Sequence, residues 1–88
     1  MEFDWNKRKA AANLRKHGIA FDSARYFEFD TAIIRSVDFD DGEERIVAFG
    51  FIGERLQVLV YTERGDVIWV ISLRRAEKHE WRWFYGEL

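Results

Sequence analysis

Residues 56–73 read LQVLVYTERGDVIWVISL, and the reading of this stretch decides the fold. Leu56–Thr62 alternates, Val67–Leu73 is almost continuously apolar, and Arg64-Gly65-Asp66 between them is turn chemistry. So short a gap joins antiparallel strands, because parallel strands need a crossover of about a dozen residues or more. In the simplest register Gly65-Asp66 is the turn, with Gly first as type II′ prefers. Thr62 then faces Trp69, and Val60 faces Ile71. Leu56, Val58, Val60, Trp69, Ile71 and Leu73 share the apolar face. Gln57, Tyr61, Glu63, Ser72 and Arg74 share the polar-spotted one. The unbroken apolar run of Val67–Leu73 predicts a strand inside the sheet with both faces covered. Arg74 is expected beside Tyr61 and Gln57, with Arg64 at the turn roughly 20 Å away by strand rise. A one-residue bulge would reverse the faces of one strand.

Upstream, Arg45–Ile52 reads as a further strand, joined to Leu56–Thr62 by a turn at Gly53-Glu54-Arg55. Asp38–Glu44 reads as an acidic, turn-rich loop, and Ala32–Val37 as a short strand. The stretch KRKAAANLRK, residues 7–16, is rich in helix formers and predicts a helix from Trp5 to His17. Asp4 is the expected N-cap, Gly18 stands where a terminating glycine belongs, and Ala10, Leu14 and His17 share a face. Asp22 reads as a second N-cap, with Phe21 and Tyr26 at staple spacing, for a short helix over Ser23–Phe27. Downstream, residues 75–88 read as a C-terminal helix with Trp81, Phe84, Tyr85 and Leu88 on one broad face. The expectation is a single α+β domain over residues 1–88: two N-terminal helices, an antiparallel sheet of about four strands and a C-terminal helix.

Composition removes several function classes. The chain has no cysteine, which excludes disulfides and cysteine zinc sites and agrees with a reducing cytoplasm. Two isolated histidines, His17 and His79, make no metal constellation. No apolar run approaches the ~18 residues of a membrane span, and residues 1–5 lack the pattern of a secretory leader. The formal net charge of −2 hides a polarised chain. Asn6–His17 holds five basic residues and no acid, whereas Glu28–Glu44 holds seven acids and only Arg35 as a base. Such a chain can present a basic face despite its acidic total.

Arginine on a rigid strand suits phosphate, since its planar fork of donors matches phosphate oxygens and stays charged. The competing reading pairs these arginines with the acidic loop at Asp38–Glu44. His17 has the side chain best suited to proton transfer near neutrality, or it merely complements the helix dipole. The tail WRWFY, residues 81–85, offers either base-stacking surfaces or core and partner contacts. There is no Ser-His-Asp arrangement, Walker loop or dinucleotide glycine pattern, and Arg64-Gly65-Asp66 is simply a turn.

Three blocks together resemble the BrnT toxins. FDWNKRKAAANLRKHGIAFDSA, residues 3–24, is similar to their opening through Phe3, Trp5, Lys9, Asn13, Lys16, His17, Gly18, Phe21 and Ala24. GEERIVAFG matches a G-E-x-R-x-x-x-x-G pattern through Gly42, Glu43, Arg45 and Gly50. YTERGDVIWVISLRRA matches through Thr62, Arg64, Ile71, Ser72, Arg74 and Ala76. The resemblance implies a RelE-like, cytoplasmic endoribonuclease toxin of a type II toxin–antitoxin system. It implies no cofactor and no metal, the RNA's own 2′-hydroxyl serving as nucleophile. The implied partners are a BrnA-type antitoxin, the RNA substrate and, only through the antitoxin complex, operator DNA; no membrane is involved. Carried over by position, Lys16, His17, Arg45, Arg64 and Arg74 are the site residues. Arg45, Arg64 and Arg74 would bind phosphate and stabilise charge, and His17 or Lys16 would move protons or hold phosphate. The chain departs from the pattern at Trp69, at Leu73 and at Phe84, which stands where the family carries a tyrosine. A non-catalytic interaction module, a degenerate toxin and a plain nucleic-acid binder remain the alternatives.

Overall fold

Three two-residue turns build the sheet. Asp41-Gly42 joins β2 (Ile33–Asp40) to β3 (Glu43–Ile52), and both turn residues have positive φ, 50° and 78°. That is the type I′ signature, whose twist matches the strands it connects. Gly53-Glu54 joins β3 to β4 (Arg55–Arg64), and Gly65-Asp66 joins β4 to β5 (Val67–Arg75). Each of these has Gly first with φ near 60°, as a II′ turn requires. The meander expected from the tight spacing is therefore present.

The expected count of helices and strands is not. The computed structural model, which describes residues 1–86, is α+β with five strands in the order β1-β5-β4-β3-β2. The added strand is β1 (Glu2–Trp5), which runs parallel to β5, from Glu2 opposite Val67 to Trp5 opposite Val70. Phe3 and Trp5 turn inward while Glu2 and Asp4 stay exposed, the period of two that a half-buried strand needs. Helix α1 therefore starts later, at Lys7, and runs to His17. Its cap is Asn6 rather than Asp4, with Oδ1 accepting from the Arg8 and Lys9 amides at 2.9 and 3.1 Å. Gly18 ends it in the left-handed conformation.

The second N-terminal helix is also corrected. Phe21–Tyr26 and Phe29–Thr31 are two short 3₁₀ segments, and Asp22 pairs with Arg25 at 2.6 Å instead of capping. Phe21 is buried while Tyr26 is exposed, so no staple forms. Because β1 and β2 lie on opposite edges, the chain between them must cross one face of the sheet. It covers that face with Ile19, Phe21, Ala24 and Phe27, set against Ala48, Leu59, Tyr61, Val70 and Leu73. Gly50 permits this closeness, since a Cβ there would lie 2.5 Å from Phe27 Cζ. The acidic loop shrinks to the Asp41-Gly42 turn, because β2 continues to Asp40. The C-terminal helix α2 covers Lys78–Gly86, and Leu88 lies outside the described residues.

Among the described residues the opposite face is covered at one end, by α2. There Phe84 and Trp83 of α2 pack on Phe49, Phe51, Leu56 and Val58.

Candidate functional site

The site is set by a bulge in β5. Tyr61 faces Val70, but Val60 faces Ser72, so Ile71 is an extra residue and not the partner of Val60. Beyond the bulge every side chain of β5 changes face. Leu73 turns to the crossover side, whereas Ser72 and Arg74 turn to the side of Val60 and Val58. Arg74 therefore shares a face with Val58 and α2, not with Tyr61 and Gln57. Arg64 lies on that same face, six residues along β4 from the Val58–Arg74 pair, or about 20 Å.

β1 ends opposite Val70, which leaves the outer edge of β5 without a strand partner from Ile71 onward. Helix α1 lies there instead. Asn13, the buried residue of the helix, donates through Nδ2 to the Leu73 and Ile19 carbonyls at 2.7 and 3.0 Å. Its Oδ1 accepts from the Leu73 amide at 3.3 Å. One side chain thus satisfies the donor and the acceptor that a neighbouring strand would have satisfied. Lys9, Ala12, Asn13 and Lys16 follow helical i, i+3, i+4, i+7 spacing, so fixing Asn13 presents both lysines to the bulge. Together with His17, Ile71 and Ser72 they line an open cleft of about 270 Å³. Lys16 is exposed and His17 half-buried. Among the described residues no ion pair involves Lys9, Lys16 or His17.

The arginines stand differently, because each holds a carboxylate. Arg74 grips Glu80 with two bonds of 2.6 and 2.8 Å. Glu80 also accepts from the Glu77 amide at 2.9 Å, closing the first turn of α2. The Arg74 hydrogen bonds, followed by the Glu77 amide, pull the Glu80 carboxyl down to about 2 against the opposing cost of burial. Arg64 holds Glu43 through two bonds of 2.8 and 3.0 Å, which lower the Glu43 pKa. The Arg64 guanidinium also lies 4.3 Å from the Trp69 ring centroid. Trp69, one of the departures from the family pattern, is thus the platform for an arginine. Arg45 pairs with Asp40, while its Nε is buried with no hydrogen-bond partner.

The five residues singled out in the sequence are therefore not one cluster. Ile71 lines both the lysine cleft and a small recess with Arg45, Thr62, Asp40, Glu43 and Glu44, so Arg45 borders the bulge from a separate recess that it shares with three carboxylates. Arg74 lies one pleat beyond Ser72, about 7 Å along the strand. Arg64 stands on the rim, beside Glu43. Sequence reasoning did not single out Lys9, Ser72 or Asn13 as site residues. The i, i+4, i+7 spacing of Lys9, Asn13 and Lys16 was visible in the helix; Ser72 was not assignable without the bulge.

The aromatic tail splits in two. Phe84 is buried, and its ring lies 5.6 Å from that of Phe51. Trp83 packs on Phe49 beneath Arg35, whose guanidinium is 4.6 Å from the Trp83 ring. Trp81 and Tyr85 are half-exposed and pack against each other, ring centroids 4.3 Å apart and planes tilted by 49°. A buried Phe84 cannot stand in for a tyrosine at the cleft.

A profile described as "Ribonuclease toxin, BrnT, of type II toxin-antitoxin system" matches residues 5–80, nearly the whole chain. The chain belongs to the BrnT family. It is also similar to the Brucella abortus ribonuclease toxin BrnT, whose crystal structure was determined at 1.1 Å. The two share 26% identity with a TM-score of 0.72, over 89% of this chain and 99% of the Brucella chain. No curated protein matches the sequence. Membership makes this chain a toxin of a type II toxin–antitoxin pair within a family of ribonucleases, which implies an antitoxin partner. No helix among the described residues is long and apolar enough to cross a membrane.

Proposed function

We propose that this chain is a metal-independent endoribonuclease whose reacting phosphate sits in the seam between α1 and β5. The observation that carries the reading is the cleft at the bulge. It is open, and its lysines Lys9 and Lys16, like His17 beside them, have no ion-pair partner among the described residues. In the proposed reaction the 2′-hydroxyl attacks the adjacent phosphorus as a base takes its proton. The new O–P bond forms, the bond to the 5′-oxygen breaks, and that oxygen receives a proton. The products are a 2′,3′-cyclic phosphate and a 5′-hydroxyl. His17 carries proton transfer. Lys16 and Lys9 hold the non-bridging oxygens, and the Ser72 hydroxyl donates to one of them.

Arg45 contributes through the terminal guanidinium donors that Asp40 leaves free. Arg74 stays bound to Glu80 at the far side of the cleft and positions the strand end that carries Ser72. Arg64 stays on the rim with Glu43 and adds to the local potential there. The partner that silences the enzyme is a BrnA-type antitoxin, and operator DNA is bound only through their complex. One observation favours the non-catalytic alternative: all three arginines already hold carboxylates.

Incubation of the purified chain with RNA in EDTA decides between them. The nuclease reading expects fragments ending in cyclic phosphate. Intact RNA, or cutting only after a divalent metal is added, overturns it.

A further inference from the structure

The edge strand β2 carries an unpartnered surface far from the lysine cleft. Among the described residues its outer edge pairs with no other strand. Ile34, Val37 and Phe39 lie opposite Ala48, Ile46 and Glu44 of β3, on the face that the crossover covers elsewhere. Here the cover has ended. The three side chains are 55%, 45% and 76% exposed, a stripe continuous with the core. An exposed strand edge bearing an apolar stripe is a template for another chain.

The alternate residues of β2 are polar or acidic: Ser36, Asp38 and Asp40. A bulge at Arg35 interrupts the strand, so Ser36–Asp40 is the regular part. Behind Phe39 a groove of about 290 Å³ has Ile46 as its floor and Glu44 and Glu63 on its rim. The Glu43–Arg64 bonds extend the β3–β4 register past Ile46–Tyr61, which sets Glu44 across from Glu63. Like charges directly opposite on neighbouring strands are unfavourable, and a cation between them relieves the cost.

These observations select the occupant. A second copy paired edge to edge along Ser36–Asp40 would bring two acidic edges together, each with Asp38 outside the ion pairs and Glu44 and Glu63 beside it. A chain with the reverse charge fits. We propose that the antitoxin adds an extended segment, apolar residues alternating with Lys or Arg, as a sixth strand along Ser36–Asp40. Its apolar side chains extend the stripe of Val37 and Phe39. A basic side chain falls beside Asp38 on the other face, where Asp40 already holds Arg45, and a cation following the strand enters the groove between Glu44 and Glu63. This inference rests on the toxin–antitoxin reading and adds where and by what chemistry the partner docks.

The test uses the full chain and, as antitoxin, the small protein encoded by the neighbouring reading frame. Affinity is measured by calorimetry for wild type, Phe39→Asp, Val37→Asp and Asp38→Lys, with circular dichroism as a check on folding. All three positions are solvent-exposed and none lines the lysine cleft. Each substitution is expected to weaken binding at least tenfold, while RNA cleavage by the Phe39→Asp and Val37→Asp chains stays within twofold of wild type; Asp38, opposite Arg45, serves the binding measurement alone. Affinities within twofold for every variant overturn the proposal, as does a wild-type chain that fails to bind. A wild-type homodimer that the same substitutions dissociate also overturns it, in favour of a second copy. Wild type that binds the antitoxin without cutting RNA defeats the nuclease reading and leaves the docking surface standing.

Discussion

Asn13 shows how much one side chain settles. Its amide stands where a neighbouring strand would stand, and it ties the helix carrying Lys9, Lys16 and His17 to the strand carrying Ser72. Truncation to alanine strands the Leu73 amide and two carbonyls away from water. The expected cost for Asn13→Ala is about 2–3 kcal/mol, read from urea unfolding. An unchanged midpoint would show that water or a shifted helix replaces the bonds. Asparagine is a mediocre helix former, and its position inside an otherwise strong helical run was a legible sign of a tertiary role. Leu14, which shares a face with Ala10 and His17, is 50% exposed, because the helix meets a strand edge, where a hydrogen-bonding side chain outcompetes an apolar one. The arginines were legible as phosphate-compatible groups, and the competing pairing with the acidic stretch Asp38–Glu44 holds for Arg45 with Asp40 and Arg64 with Glu43. Glu80 was not legible as a partner, because it reaches Arg74 only once α2 docks.

At the scale of elements, the turns were readable and the strand partners less so. Gly53 and Gly65 sit in local, two-residue problems that local chemistry solves. β1 was missed because its four residues offer only two inward side chains, and its parallel partner lies about sixty-five residues further on. The bulge at Ile71 was unreadable for a related reason: Val67–Leu73 is apolar on both faces, so a slip of one residue leaves no pattern to violate. The clasp between β5 and α2 has a measurable signature in acid. Glu80 titrates at about 2 when folded, below its ordinary value of 4.5. Its contribution is therefore complete above the unfolded value and vanishes as pH falls through the folded one. Glu80→Gln is expected to cost about 2 kcal/mol at neutral pH, a difference from wild type that shrinks toward zero between pH 4.5 and about pH 2. Urea unfolding across that range checks it; a difference independent of pH would mean that Glu80 contributes packing and not charge.

Across the whole molecule, the total charge of −2 conceals two separated fields. Cations of α1 border the free edge of β5, and the acids of the β2–β3 hairpin crowd the opposite edge of the sheet. The polarity was legible in the order of charges along the chain; the sheet order that drives the fields apart was not. A nucleic-acid site built on two lysines and one additional cation engages about three phosphates. The logarithm of affinity for single-stranded RNA should then fall with the logarithm of salt with a slope of about −2. Binding of a 2′-deoxy analogue that cannot be cut gives this slope directly. A value near −4 would mean that the arginines leave their carboxylates to join the site.

The claim on which the account turns is that RNA is cut at the seam between α1 and β5, and not at the carboxylate-bound arginine on the rim. Single-turnover cleavage of one RNA by His17→Ala and by Arg64→Ala tests it most directly. The account predicts a loss of about 100-fold or more for His17→Ala, the scale of a lost proton-transfer group, and a loss within about threefold for Arg64→Ala. A His17→Ala chain that cuts at the wild-type rate while Arg64→Ala is inert would contradict it.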